Sequence, residues 1–254
     1  MRKILALAVL AGAVAFGVVS VANAGEETQQ EKFKVKPPKI KKKKHQNIKL
    51  INEVITPDDP ALGQPPSATR TVVDWPKQFK FNTDKVPYCK TDEDGLNAAP
   101  TVEDAKAACG PKSQVSSDKG SEAIVRTNLG APFDVINVDV VAFNEKGKRL
   151  YLYSKPTGET SQVPASVLTG KLKKFDKVKG VKRPDGPFKE SLDVNVPQLA
   201  AGAIAYFKVT IPKSKYIQAK CKPKKMTAQA TTLFSTGDTP KSTDDHTIKC
   251  KPKR

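Results

Sequence analysis

The sequence predicts an all-β fold, an antiparallel sandwich of immunoglobulin or jelly-roll type or a related barrel, from three observations. About ten short runs rich in β-branched and aromatic residues are separated by Pro, Gly, Asn and Asp. One segment alone carries helix signals: Thr101 can cap 102–108, with Glu103 and Asp104 well placed at the positive helix start. In the run 135–143 the alternation is clear, and Ile136, Val138 and Val140 share one face. Many strands with so little helix indicate two faces of sheet closing on one core.

The first 24 residues read as an export signal. Arg2 and Lys3 supply the positive start, residues 4–21 are uncharged and apolar, and Ala22-Asn23-Ala24 gives the small-x-small cleavage pattern before Gly25. An uncleaved membrane anchor is the rival, since about 20 apolar residues can span a bilayer. Gly12, Gly17 and Ser20, and the lack of Lys or Arg just after the run, argue for cleavage. No Cys follows the run, which excludes a lipoprotein anchor, and the single Arg points to general export rather than the twin-arginine route. The expected product is secreted or wall-associated, with no transmembrane segment.

The formal net charge is +18. Losing Arg2 and Lys3 leaves about +16, a field that favours anionic partners. In an exported protein those are anionic cell-wall polymers, acidic glycans and lipid headgroups; nucleic acid is not expected. Residues 25–47 read as a flexible, disordered basic leader. From Lys32 to Lys49 there are nine Lys, no acid and the pair Pro37-Pro38, a run that repels itself and offers little apolar area to offset ordering entropy.

Residues 48–254 read as the folded domain, with room for two sub-sheets. Strands are expected at 48–55, 69–75, 123–127, 135–143 and 149–153. Residues 144–148 form a hairpin loop in which Gly147 can take a positive φ. Leu150 and Leu152 face away from Tyr151 and Tyr153, so this strand is covered on one side and partly on the other. Further strands are expected at 166–175, 189–196, 203–211, 216–221, 227–234 and 247–250.

Cys89, Cys109, Cys221 and Cys250 allow three pairings, and sequence alone leaves the choice open. Cys89 with Cys109 and Cys221 with Cys250 are favoured because each pair brackets a short, turn-rich segment. A metal site lacks Cys-x-x-Cys spacing and nearby His. The segment Lys220-Cys221-Lys222-Pro223-Lys224-Lys225 is echoed by Lys249-Cys250-Lys251-Pro252-Lys253-Arg254. If Cys221 and Cys250 are bonded, eight basic side chains crowd one corner. The candidate anion-binding set is therefore Lys41, Lys42, Lys43 and Lys44 in the leader, with Lys220, Lys222, Lys224, Lys225, Lys249, Lys251, Lys253 and Arg254 at that corner.

Several segments resemble a known group of proteins. These are Val72-Val73-Asp74-Trp75-Pro76-Lys77-Gln78-Phe79-Lys80-Phe81-Asn82, then Pro87-Tyr88-Cys89, then Ala108-Cys109-Gly110-Pro111-Lys112-Ser113-Gln114-Val115, and the pair around Cys221 and Cys250. Together they resemble uncharacterised exported β-rich proteins of high-GC Gram-positive bacteria. The resemblance implies local Cys pairing and a sandwich-like fold, and it implies no activity. Gly110 between Cys109 and Pro111, and Ser116-Ser117-Asp118-Lys119-Gly120, depart from that pattern.

Candidate chemistry is sparse. His45 and His246 lack metal-ligand spacing and read as exposed polar residues. Ser116 and Lys119 match Ser-x-x-Lys, but the partner motifs of that chemistry are absent. Asp92-Glu93-Asp94 with Gly95 lacks the alternation of a calcium loop and reads as a solvated turn. Trp75, Phe79, Phe81 and Tyr88 suggest either sugar stacking or, more commonly, core packing. No catalytic residue, metal or cofactor is expected. The functional expectation is a non-catalytic protein binding anionic envelope polymers electrostatically. The alternatives are a carbohydrate-active or other hydrolase on the sandwich, and a structural surface protein without a specific ligand.

Overall fold

Phe33 and Val35 are almost fully buried while Lys32, Lys34 and Lys36 between and beside them stay in water. That period-two alternation makes β1 (Gln30–Lys36) a strand, although it lies in the stretch expected to be disordered. The computed structural model describes residues 29–253 except 38, 60–62, 132–133, 198–201, 223–224 and 236–240. The export signal read at 1–24 therefore lies outside the described residues. After β1 come β2 (Lys39–Lys41), β3 (Gln46–Asn47), β4 (Lys49–Ile55), β5 (Ala68–Pro76) and β6 (Phe79–Phe81). Two helices follow, α1 (Glu93–Asn97) and α2 (Val102–Cys109). The chain continues through β7 (Glu122–Thr127), β8 (Val135–Glu145), β9 (Arg149–Pro156), β10 (Ser166–Lys174), β11 (Phe188–Asn195) and β12 (Gly202–Ile211). It ends with β13 (Ile217–Ala219), β14 (Lys225–Phe234), β15 (Lys241–Lys249) and β16 (Lys251–Lys253).

The expected all-β antiparallel class is the observed one. Eleven strands form a single sheet in the order β1-β4-β12-β7-β8-β9-β10-β11-β5-β14-β15, every neighbour antiparallel. The sheet curls until its ends meet, so both walls around the core belong to it. An odd number of alternating strands leaves β1 and β15 pointing the same way, and among the described residues no ladder joins them. Side chains bridge the seam instead. The Glu31 N–H donates to Asp244 Oδ2 (2.6 Å) and the Gln29 N–H to Ser242 Oγ (3.2 Å), which satisfies edge donors that would otherwise be open to pairing.

Two expectations change here. Residues 30–47 are not a free leader: β1 pairs with β4 over its whole length, and β2 and β3 pair further on. The high charge masked an alternation that leaves lysines outside and buries Phe33, Val35 and Ile40. A second helix, α1, occupies the expected acidic turn. Asp92 is its N-cap, its carboxylate accepting the Gly95 N–H (3.0 Å), and Glu93 and Asp94 lie in the first turn, where acidic side chains favour the helix dipole.

The interior is lined by alternate residues such as Leu50, Val73, Leu150, Leu152, Val194 and Ile211. Tyr151 and Tyr153 point outward, yet they too are buried, beneath α1 and α2 with Leu96, Ala105, Phe143 and Val167. This second core is stapled by the Cys89–Cys109 disulfide, and the Tyr153 hydroxyl donates to the Ala99 carbonyl (2.9 Å). The favoured pairing thus holds, and Cys221–Cys250 is the other bond, with 5.9 Å between Cα atoms. At the expected hairpin Gly147 has φ +75°, and Lys148 follows with φ +62°. On the outer face of β5, β11 and β14, Asp74 is fully buried among Ser191, Gln229 and Arg183. The guanidinium also donates to the Phe175 carbonyl (2.8 Å) and stacks 4.5 Å above that ring. Burial pushes the Asp74 carboxyl up, opposed by hydrogen bonds from Ser191 and Gln229 and by the charge of Arg183.

Candidate functional site

One end of the curled sheet is packed shut. Trp75 stacks on Phe79 (centroids 5.7 Å apart) and touches Phe33 (5.0 Å) and Phe81 (5.5 Å), with Phe81 against Tyr216 (6.4 Å). A small sheet, β3-β13-β6, carries Phe79, Phe81 and Ile217 across this floor. The aromatic residues read as candidates for sugar stacking are therefore core, apart from Tyr88, which is 40% exposed.

Outside the floor lies the basic corner. β2 and β16 pair in parallel, Lys39 opposite Lys251 and Lys41 opposite Lys253. Ile40 between the lysines is fully buried, Cys221 and Cys250 are buried near it, and the Cys221 N–H donates to the Lys41 carbonyl (2.9 Å). In the same region Lys36 stands opposite Lys49, and Lys225 opposite Lys249. Like charges directly opposite on paired strands destabilise the pair. Lys42, Lys43, Lys44 and Lys222 are exposed, and Lys220 is half-buried. Lys224 and Arg254 lie outside the described residues.

The sequence grouped the leader lysines and the Cys221/Cys250 lysines as candidates, and the fold sets them side by side. It also adds two that sequence reasoning missed. Burial, then Lys220, Lys80 and Lys189, hold the His45 imidazole below its usual range, against a lift from a backbone hydrogen bond at Gln78. Lys80 is on β6 and Lys189 on β11, far from the leader in sequence, so only the fold could reveal them. None of Lys39, Lys41–Lys44, Lys80, Lys189, Lys220, Lys222, Lys225 and Lys251 forms an ion pair among the described residues. Some cationic groups elsewhere are matched: Arg70 and Lys173 share Asp193 (2.8 and 2.7 Å), and Lys208 meets Glu122 (2.9 Å).

The opposite end is open and apolar. An inner chamber of about 130 Å³ reaches from Trp75 towards β11 and β12. A wider outer one of about 440 Å³ lies at the ends of β7, β9 and β10. Leu168, Val196, Ile204 and Phe207 line both.

The other candidate groups take structural places. Ser116 is buried and its Oγ accepts the Ala142 N–H (2.8 Å). His246 packs against Phe33 at 6.3 Å between ring centroids. Glu31 is buried in the seam; its Oε1 accepts from Asn52 Nδ2 (2.5 Å) and its Oε2 has no partner among the described residues. Burial pushes this carboxyl up to about 8, lowered by the Asn52 bond and raised further by Asp244.

Fold and site together define an antiparallel, nearly closed β-sheet protein with two disulfides, a lysine-rich closed end and an apolar open end. The disulfides belong to an oxidising, non-cytoplasmic environment, and no helix among the described residues is long and apolar enough to cross a membrane. No protein-family model matches the chain, and no curated protein matches it.

Proposed function

We propose that this is an exported, non-catalytic binding protein that attaches to anionic envelope polymers through its lysine-rich closed end. One observation carries the reading: the cross-strand Lys–Lys pairs Lys36/Lys49 and Lys39/Lys251 converge there, with Lys41 and Lys225 exposed beside them. The fold tolerates that repulsion, and a polyanion lying across the pairs relieves it. The export signal at 1–24, cleaved before Gly25, would deliver the chain to the wall or beyond it. Because the lysines sit on strands tied into the core, they form a fixed patch rather than a loose tether.

The test is co-sedimentation of residues 25–254 with isolated cell envelopes across rising salt. Binding at low salt that is lost by a few tenths molar is expected, since exposed charges are screened beyond a Debye length of about 10 Å at 0.1 M. Replacing Lys41–Lys44 with Gln should weaken binding while the fold persists; deleting residues 30–47 would instead remove Phe33, Val35 and Ile40 from the core. Protein that stays in the supernatant at low salt, or binding indifferent to salt, overturns the proposal.

A further inference from the structure

We propose that the open end is a binding site for one hydrocarbon chain of a fatty-acid-class amphiphile, tail inward and anionic head at the rim. The reasoning starts from strand number. A barrel of about eight strands is just wide enough for its own side chains to fill or to hold one small ligand, and width grows with each strand. Eleven strands curl around this core, and at the floor Trp75, Phe79, Phe81 and Tyr216 fill the extra width. No such plug stands among the described residues at the other end, where the two chambers remain.

Their chemistry selects the ligand. Among the described residues, none that lines them is charged. Of the polar groups deep inside, Gln29 Nε2 donates to Thr56 Oγ1 (3.1 Å) and the Thr71 and Thr232 hydroxyls share a hydrogen bond (3.0 Å), which leaves the buried Trp75 Nε1 as a donor without a partner among the described residues. A polar ligand would find little to bond with there, whereas an apolar chain loses nothing by entering, as in other dry cavities. The shape agrees, a narrow inner chamber behind a wider outer one, both lined by Leu168, Val196, Ile204 and Phe207.

The rim supplies a second, independent signal. Leu129 is 62% exposed and Val135 41% exposed, two of the three large apolar residues left in water among the described residues. Leu129 lines the outer chamber, whereas Val135, one residue before the lining Ile136, lies on the other face of β8. An apolar lip at an apolar mouth suits entry of a chain from a lipid surface or micelle. At the same edge Lys155, between the lining residues Ser154 and Pro156, donates to the carbonyl of Val163 (2.8 Å), and Val163 lines the mouth. An ammonium carries three donors, so this one can still meet a carboxylate head.

Trp75, the chain's single tryptophan, lines the inner chamber and makes the test direct. The full mature chain, extracted free of bound lipid, is titrated with hexadecanoate brominated at its terminal carbon and with the isomer brominated beside the carboxylate, below their micelle concentrations. Saturable quenching of Trp75 that is stronger for the terminal bromide is expected. Val196→Phe, which narrows the passage between chambers, and Ser166→Phe at the rim should each raise the half-saturating concentration by about tenfold or more, with circular dichroism checking that the fold is kept. Lys155→Gln should weaken unlabelled hexadecanoate as a competitor and leave hexadecanol unchanged. Absence of quenching, equal quenching by the two isomers, or no effect of either blocking variant overturns the site. Equal loss of acid and alcohol in Lys155→Gln overturns the headgroup assignment.

Discussion

At the closed end aromatic rings span the width of the sheet, a disulfide ties the junction of β15 and β16 to the segment before β14, and lysines crowd the outside. At the open end the walls are just as apolar but nothing among the described residues fills the space between them, and Leu129 reaches the rim. The same curled sheet thus ends once as core and once as cavity. The difference shows how a wide sheet divides its interior. Inside the curl the large rings gather at the end covered by the small sheet β3-β13-β6, with Phe79 and Phe81 carried in on β6. At the other end the alternation of each strand still points apolar residues inward, but their lengths do not meet.

The sharpest way to break this comparison is to open the closed end. Trp75→Ala should cost about 3–5 kcal/mol, as for other buried aromatic truncations, measured by urea denaturation. Next, replacing both Cys221 and Cys250 with Ser should cost about 3 kcal/mol through the 29-residue separation they close, and the loss should appear as a lowered Tm under non-reducing conditions.

The seam runs between the two ends, and its buried Glu31 gives a pH signature. A folded-state pKa near 8, raised from 4.5, means the folded protein holds a proton that the unfolded chain releases earlier. That contribution is complete below about pH 4.5 and is lost as pH rises towards 8, by on the order of a few kcal/mol. Glu31→Gln should flatten the decline, with denaturation midpoints compared at pH 5 and pH 8. A midpoint equally pH-dependent in the variant would remove Glu31 as the cause.

A smaller effect belongs to the corner. Lys251→Glu, placing an acid opposite Lys39, should stabilise by about 0.2–1 kcal/mol at low salt and by less at high salt. Smallest of all, Leu129→Ser at the open rim should change stability within about 0.5 kcal/mol, as for surface sites. A large loss there would mean the rim is packed like the floor, and the contrast between the ends would fail.

Much of the wall was legible in the chain. Val135 to Phe143, Arg149 to Tyr153 and Ala203 to Ile211 declare themselves by β-branched alternation, and Gly147 marks its hairpin, because strand period and turn chemistry are local. The Cys pairs were nearly so, each bracketing a short segment. The β1 strand was hidden by its own lysines. Its alternation is as regular as any in the chain, but a run without acids reads as disorder unless a partner strand is known, and that partner, β4, supplies the apolar face. Likewise Asp92-Glu93-Asp94 reads as a turn until the packing of Leu96 against Tyr153 and its neighbours makes the helix worthwhile.

By itself, then, the sequence determined the all-β class, the positions of most strands, the two basic segments and the thiols available to staple them. Only the tertiary structure decided that Lys39 meets Lys251, that Lys80 and Lys189 join His45, that Trp75 closes one end and that Leu168 and Phe207 leave the other open. Periodicity is a property of neighbours along the chain, set by the pleat. Closure, register between distant strands and the volume left inside depend on how many strands curl and how their side chains meet across the core, and no single segment carries that information.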